Sequence, residues 1–151
     1  MIQLLVLHGP NLNLFGRREP HIYGTTTLAE IDARLRRLAE ELGVGLEIFQ
    51  SNHEGALIDK LHERIDSAAG ALVNPAGLTQ HGVPLHDAIK AMPFPVIEVH
   101  ISNLGTRDEI HRNSILTPAV RGTVMGLGWR SYTAALRALV EIVREEKAAK
   151  H

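Results

Sequence analysis

Apolar residues recur along the chain in two alternating patterns. Short apolar runs, typical of buried strands, are separated by longer segments whose apolar residues return every three or four positions, as on one helix face. The runs predict strands at residues 2–7, 46–50, 70–74, 96–101 and 122–126. The longer segments predict helices at residues 27–42, 52–67, 83–92 and 131–148, and a short helical turn within residues 106–113. Thr27 and Glu30 have the spacing of a capping box at the start of the first helix.

Strands that alternate with helices indicate a parallel sheet with right-handed crossovers and helices on both faces. Five such units predict an α/β fold of the doubly wound, flavodoxin-like kind, with the strand order 2-1-3-4-5. The chain length favours a single catalytic domain that spans residues 1–151. Sheets of this kind bind ligands at the carboxyl ends of their strands, where the strand order reverses. That edge is therefore where a functional site is expected.

Composition narrows the classes of function. A formal net charge of -1 gives no electrostatic reason to expect a nucleic acid or an anionic membrane as partner. No apolar run approaches the roughly 20 residues of a membrane helix, and no basic segment typical of a signal peptide precedes the first strand. Cysteine is absent and the histidines lack the tight spacing of metal ligands, so neither a disulfide nor a metal is expected. We expect a cytoplasmic protein that acts on a small molecule.

Polar side chains gather where the predicted strands end. Asn, His, Glu, Ser and Gln occupy residues 8–11, 50–54, 74–81 and 98–103, which lie at the ends of the first four strands. Strand beginnings carry nothing comparable. Asparagines are costly to bury without partners, so the cluster predicts a polar ligand with several hydroxyl groups.

Glu98 and His100 are two positions apart in an apolar strand, so their side chains leave the same face of the sheet. A carboxylate beside an imidazole sets its tautomer and favours its protonated form, which suits a general acid. The competing interpretation is a structural pair at the edge of the core. Asn11, Asn74 and Ser102 at neighbouring strand ends favour the catalytic interpretation.

Residues 8–23 form an unusually long polar segment between the first strand and the first helix. It carries two adjacent arginines, Arg17 and Arg18, a few residues before Tyr23. A guanidinium close to a phenol stabilises the phenolate, which can then act as a base. The alternative is a surface loop with solvated arginines, and the residues by themselves do not choose between Arg17 and Arg18.

These motifs resemble those of the type II 3-dehydroquinate dehydratases over nearly the whole chain. The matching segments are residues 9–14, 16–20, 23–24, 50–55, 74–75, 98–103 and 126–128, in the family's order and spacing. The resemblance implies a flavodoxin-like fold, a dodecamer built as a tetramer of trimers, and no cofactor. It also implies the dehydration of 3-dehydroquinate to 3-dehydroshikimate, with residues 15–24 as a mobile lid. Biosynthesis and quinate breakdown share this reaction, so the sequence does not choose between the two roles.

The resemblance assigns roles to individual residues. Tyr23 would take a proton from the carbon beside the ketone, with Arg18 favouring its ionised form. Asn11 would hold a water that stabilises the enolate, and His100, oriented by Glu98, would protonate the leaving hydroxyl. The substrate-binding residues would be Asn74, Gln80, His81, Asp87, Ile101, Ser102, His111 and Arg112, with Asp87 reaching a neighbouring subunit's site.

Three positions depart from the family's usual pattern. His8 replaces an asparagine, Gln80 replaces a histidine that here follows as His81, and His111 replaces an arginine that here follows as Arg112. The residues to which the resemblance assigns catalytic roles are present, whereas some of the residues expected to bind the substrate have changed. Two alternatives therefore stay open: a related hydro-lyase for another cyclic hydroxy-ketone carboxylate, and a non-catalytic member that binds a ligand.

Overall fold

The sheet has the predicted topology. The computed structural model describes residues 1–150, and His151 lies outside them. Five parallel strands are arranged in the order β2-β1-β3-β4-β5, which confirms the flavodoxin-like order 2-1-3-4-5. Their bounds are Gln3–His8 (β1), Gly45–Gln50 (β2), Gly70–Asn74 (β3), Val96–His100 (β4) and Gly122–Met125 (β5).

Six α-helices connect or cover the strands in residues 1–150. They are Pro20–Tyr23 (α1), Leu28–Leu42 (α2), Glu54–Glu63 (α3), Val83–Lys90 (α4), Glu109–Arg112 (α5) and Arg130–Ala149 (α6). Short 3-10 turns lie at Leu12–Leu14, Ala76–Thr79, Leu104–Thr106 and Thr117–Ala119. The long polar segment after β1 thus contains a 3-10 turn and the short helix α1, neither of which the periodicity predicts.

The start of α2 follows from its capping residue. Thr27 has an extended backbone, and its side-chain oxygen accepts a hydrogen bond from the backbone N–H of Glu30 at 3.2 Å. Gly43 ends the helix with a left-handed φ of 70°. The structure confirms the predicted start of this helix at Thr27 and its predicted end at residue 42.

The prediction of a helix over residues 52–67 was wrong at both ends. The side-chain oxygen of Asn52 accepts a hydrogen bond from the backbone N–H of Asn11, and Ser51 accepts one from His53, so this stretch forms a loop. At the other end the helix stops at Glu63, and Arg64 turns to pair with Glu47 on β2 at 2.6 Å. Hydrogen bonds to a loop and a strand elsewhere in the sequence override the helical period here.

Apolar side chains from the sheet pack in two layers. Leu4, Val6, Leu72, Ile97 and Val99 join the buried cluster that contains residues of α2 and α6. Leu5, Leu7, Ala71, Val73 and Val96 join the cluster that contains residues of α3 and α4. Side chains alternate between the two faces of a strand, so both faces of the sheet are covered by helices. None of the helices within residues 1–150 has the length and apolar character needed to cross a membrane.

The ends of β1 and β3 approach each other closely at Gly9. The backbone N–H of Gly9 donates to the carbonyl of Asn74 at 2.8 Å. A Cβ atom at residue 9 would lie 2.5 Å from the carbonyl oxygen of Pro75. The close approach therefore requires glycine.

We expect Gly9→Ala to lower the free energy of unfolding by about 2 kcal/mol, because the added methyl group forces the two strand ends apart. Urea unfolding monitored by circular dichroism would measure the change.

Gly55→Ala is the matched control. Gly55 lies in the first turn of α3, and a Cβ there meets nothing within 4 Å. That variant is expected to gain about 0.5 kcal/mol from helix propensity. Equal effects at the two positions would contradict the steric explanation.

Candidate active site

A cavity of about 180 Å³ opens at the carboxyl ends of β1, β3 and β4. It lies at the reversal of strand order, between β1 and β3, as expected for this topology. Most of the predicted site residues line it: Asn11, Arg18, Tyr23, Asn74, Gln80, His100, Ile101, Ser102 and His111. The structure therefore brings residues from distant parts of the sequence to one place.

Glu98 and His100 form a buried pair on β4. The Nε2 atom of His100 lies 2.5 Å from an Oε atom of Glu98, and the two residues are 5% and 1% exposed. Ser114 and Thr117 each donate a hydroxyl hydrogen bond to the same carboxylate at 2.7 Å. The pair fixes the imidazole so that its other nitrogen, Nδ1, is available to a ligand in the cavity.

The hydrogen bonds decide the charge of the Glu98 carboxylate. Burial by itself raises the pKa of Glu98, but hydrogen bonds from His100, Ser114 and Thr117 outweigh it and hold that pKa below its usual value. A carboxylate that stays ionised without contact with solvent needs such a full set of donors. Glu98 therefore acts as a hydrogen-bond acceptor behind His100 at neutral pH.

Tyr23 receives two guanidinium groups at its hydroxyl. Arg18 donates to the phenol oxygen at 3.3 Å, and Arg107 donates to the same oxygen at 3.0 Å. Both guanidinium carbons also lie near the ring, at 4.7 Å and 5.2 Å from its centroid. Two positive charges at one phenol oxygen stabilise negative charge there.

The structure separates the two adjacent arginines. The side chain of Arg18 contacts Tyr23, whereas Arg17 is exposed. Sequence reasoning missed Arg107, which reaches Tyr23 from 84 residues away. Its position in the turn that follows the polar end of β4 was the available signal.

Asn11 is held in the cavity wall by its backbone. Its φ of 69° is in the left-handed region, which asparagine tolerates better than most residues. Its N–H donates to Asn52 at 2.9 Å, and Gln50 donates to Asn52 and to the carbonyl of Gly9. The ends of β1 and β2 thus support the start of the segment that carries Tyr23.

The altered positions Gln80 and His111 are linked to each other. The side-chain amide of Gln80 donates to the backbone carbonyls of His111 at 3.2 Å and Asn113 at 2.9 Å. The ring of His111 lies 2.7 Å from Asp108, and this hydrogen bond holds the pKa of Asp108 below its usual value. Gln80 therefore anchors the α5 segment, which forms one side of the cavity.

Three other predicted residues lie outside the cavity lining. His81 is exposed just before α4, and Asp87 is exposed in the middle of α4, where it contacts His86 at 3.0 Å. Arg112 is exposed and donates to the backbone carbonyl of Arg107. Within residues 1–150, no group of three His, Cys, Asp or Glu side chains is arranged to hold a metal ion.

Comparisons with known proteins agree with this arrangement. A family model described as dehydroquinase class II matches residues 2–140. The chain is 49% identical over 149 residues to the 3-dehydroquinate dehydratase of Desulforudis audaxviator, with 99% of each protein covered. It is 45% identical over 144 residues to the 3-dehydroquinate dehydratase of Rhizobium meliloti, covering 95% of this chain and 97% of the relative. The crystal structure of type II dehydroquinase from Propionibacterium acnes superposes with a TM-score of 0.89 at 40% identity, covering 93% of this chain and 97% of that one.

We expect the Glu98 carboxylate to make stability depend on pH in the acid range. Its pKa is lower in the folded than in the unfolded protein, so its contribution is complete above the unfolded pKa and is lost as pH falls through the folded one. The difference in free energy of unfolding between wild type and Glu98→Gln should therefore shrink between about pH 5 and pH 3.

Ser114→Ala removes one donor to Glu98 and should move this loss to higher pH. Denaturant titrations at several pH values would measure both variants. A wild-type and Glu98→Gln difference that stays constant over this range would contradict the assigned charge of Glu98.

Proposed function

Because the chain belongs to the dehydroquinase class II family, we propose that it is a carbon–oxygen lyase that removes water from 3-dehydroquinate to give 3-dehydroshikimate. The observation that carries the proposal is the pairing of two groups in one cavity. Tyr23 has two guanidinium partners at its hydroxyl, and His100 has an ionised carboxylate behind it. We further propose that the chain acts as a single catalytic domain.

Dehydration beside a ketone needs a base, a group that stabilises the enolate and an acid. Tyr23 as the phenolate takes the proton from the carbon beside the ketone, and the electron pair moves onto the carbonyl oxygen as an enolate. Arg18 and Arg107 stabilise the phenolate through the hydrogen bonds to its oxygen. Asn11, at the end of β1, holds the water that donates to the enolate oxygen.

The second step expels the hydroxyl group. The enolate electrons re-form the ketone, a carbon–carbon double bond forms beside it, and the carbon–oxygen bond breaks. The His100 nitrogen that faces the cavity gives its proton to the departing hydroxyl, which leaves as water. Glu98 keeps the other nitrogen protonated and stabilises the imidazolium before this transfer. Exchange of protons with solvent then restores the phenolate and the imidazolium.

The remaining cavity residues bind the substrate in this proposal. Asn74 contacts ring hydroxyls, while Ser102 and the backbone of Ile101 hold the carboxylate. Arg107 donates to the Ser102 hydroxyl at 3.1 Å, so one arginine orients both the base and the carboxylate site. His111 and Gln80 contribute from the α5 side.

The segment 15–24 is proposed as the lid. Gly16 and Gly24 lie near its ends with φ values of 91° and 76°, which glycine adopts without strain. His81, Asp87 and Arg112 are proposed to take part in substrate binding, with Asp87 reaching a neighbouring subunit's site in the dodecamer that the resemblance implies. When the segment 15–24 closes over the bound substrate, it excludes water from the cavity.

Of the two alternatives, a non-catalytic ligand-binding protein has the less support. Such a protein needs neither a doubly hydrogen-bonded phenol nor a buried carboxylate behind a cavity histidine. A hydro-lyase for another cyclic hydroxy-ketone carboxylate would use the same two groups. Incubation of the protein with 3-dehydroquinate separates the candidates, because the conjugated enone of the product absorbs ultraviolet light.

We expect steady turnover of 3-dehydroquinate by the wild type and a fall in kcat of at least about 100-fold in Tyr23→Phe, because the base is removed. The increase in enone absorbance measures both. Phe keeps the ring that packs 5.9 Å from Phe15, so the fold should be retained, which circular dichroism checks. Turnover by Tyr23→Phe close to wild type would contradict the phenolate mechanism.

The arginines give an internal comparison. Arg18→Ala and Arg107→Ala should each lower kcat by about tenfold or more, since each removes a charge-assisted hydrogen bond to the Tyr23 oxygen. Arg17→Ala, on the same segment, should stay within about twofold because its side chain is exposed. Equal losses at Arg17 and Arg18 would indicate a general effect of charge and not a contact with Tyr23.

A further inference from the structure

A chain of side-chain hydrogen bonds runs behind the cavity from Asp32 to Asn74. The Nε2 atom of His8 lies 2.8 Å from an Oδ atom of Asp32, and the Nδ1 atom of His8 lies 3.1 Å from the hydroxyl of Tyr132. The side-chain amide of Asn74 donates to that same hydroxyl at 2.8 Å. Asn74 lines the cavity, whereas His8 and Tyr132 are 0% exposed.

Four separate elements contribute to this chain. His8 and Asn74 are paired at the ends of β1 and β3, while Asp32 lies on α2 and Tyr132 on α6. The side chain of Asp32 is 27% exposed, so this series of hydrogen bonds begins near solvent and ends at the ligand cavity. The mechanism proposed above uses only Asn74 among these residues.

The direction of each hydrogen bond follows from one fixed donor. The backbone N–H of Ala76 can only donate, and it contacts the Oδ1 atom of Asn74 at 3.2 Å. The amide nitrogen of Asn74 must then face Tyr132 and donate to its hydroxyl oxygen. The Tyr132 hydroxyl is left to donate its own proton to His8, which accepts at Nδ1.

The remaining steps of the chain agree with this direction. Burial raises the pKa of Tyr132 far above its usual value, so the hydroxyl keeps the proton that it donates. His8, accepting at Nδ1, carries its proton at Nε2 and donates it to the carboxylate of Asp32. A proton on the Nδ1 atom of His8 would leave the Tyr132 hydroxyl proton without an acceptor, because the other partner of that hydroxyl is the N–H donor of Asn74.

We propose that His8 and Tyr132 are positioning residues that orient the carboxamide of Asn74 toward the substrate. The proposal rests on the proposed function, in which Asn74 binds ring hydroxyls. With its nitrogen turned toward Tyr132 and its oxygen toward Ala76, Asn74 keeps one N–H and one lone pair for the ligand. If the Asn74 carboxamide were rotated by 180°, its donor and acceptor would exchange places. Both of its hydrogen bonds to the hydroxyl groups of the substrate would then be lost.

The proposal also accounts for which side chains residue 8 can carry. The Nδ1 atom of histidine and the Oδ1 atom of asparagine are both bonded to Cγ, so either side chain can present an acceptor to the Tyr132 hydroxyl. An aliphatic residue cannot. His8→Asn should therefore keep the orientation of Asn74, whereas His8→Leu should lose it.

A double-mutant cycle tests whether Tyr132 acts through Asn74. Tyr132→Phe removes only the hydroxyl and should lower kcat/KM for 3-dehydroquinate by about tenfold, mainly by raising KM. In the Asn74→Ala background the same substitution should change kcat/KM by less than about twofold. An equal effect of Tyr132→Phe in both backgrounds would overturn the proposal.

Two further variants separate positioning from loss of stability. Leu139 is a buried residue of α6 that takes no part in the series of hydrogen bonds from Asp32 to Asn74. Leu139→Val removes one methylene, so it should destabilise the fold and leave KM unchanged. His8→Leu should match Tyr132→Phe, and His8→Asn should bring KM back toward the wild-type value. A rise in KM for Leu139→Val as large as that for Tyr132→Phe would show that Tyr132 and His8 have only a structural role. Equal rises in KM for His8→Asn and His8→Leu would show the same.

The tautomer of His8 provides a measurement that does not depend on turnover. In protein labelled with 15N-histidine, long-range 1H–15N spectra should show the His8 proton on Nε2 and none on Nδ1. The His8 signals are assigned from their loss in His8→Asn. A proton on Nδ1 would overturn the proposal. Absence of turnover with the Nε2–H pattern present would reject the proposed function and still support the order of the hydrogen bonds.

Discussion

The parallel pairing of β1 with β3 is the constraint on which the rest of the site depends. It places His8 beside Asn74 and brings the backbone of Gly9 to 2.8 Å from the carbonyl of Asn74. Because both strands end at the same edge, the chain must turn away in opposite directions there and leaves a cavity between. The segment after β1 closes one side of this cavity, and the turn after β3 closes another.

Buried polar groups are placed in this protein where they have complete sets of partners. Among the residues that the structure describes, no buried side-chain nitrogen or oxygen lacks a hydrogen bond. Glu98 is 1% exposed, and hydrogen bonds from His100, Ser114 and Thr117 hold its pKa below the usual value, whereas burial raises the pKa of Tyr132, which is 0% exposed. At neutral pH each group thus keeps the state that it has in water, Glu98 because its donors offset burial and Tyr132 because burial disfavours the phenolate.

Much of the fold was predictable because it depends on local patterns. Apolar runs and helical periods gave the order of elements, and the Thr27–Glu30 spacing gave the start of α2. The ends of α3 were wrong because Asn52 and Arg64 bond to other elements. The pairing of Glu98 with His100 was also predictable, since residues two apart in a strand share a face.

The sequence alone determined the alternation of strands and helices, the edge at which polar residues collect, and the presence of a phenol, an imidazole and a carboxylate there. The tertiary structure decided which arginines reach Tyr23 and what surrounds His8. Arg107 contacts Tyr23 although 84 positions separate them in the sequence. Tyr132 contacts His8 although 124 positions separate them. Such contacts depend on how helices and loops pack across the sheet, and residue spacing along the chain carries no information about distances between elements that are remote in sequence.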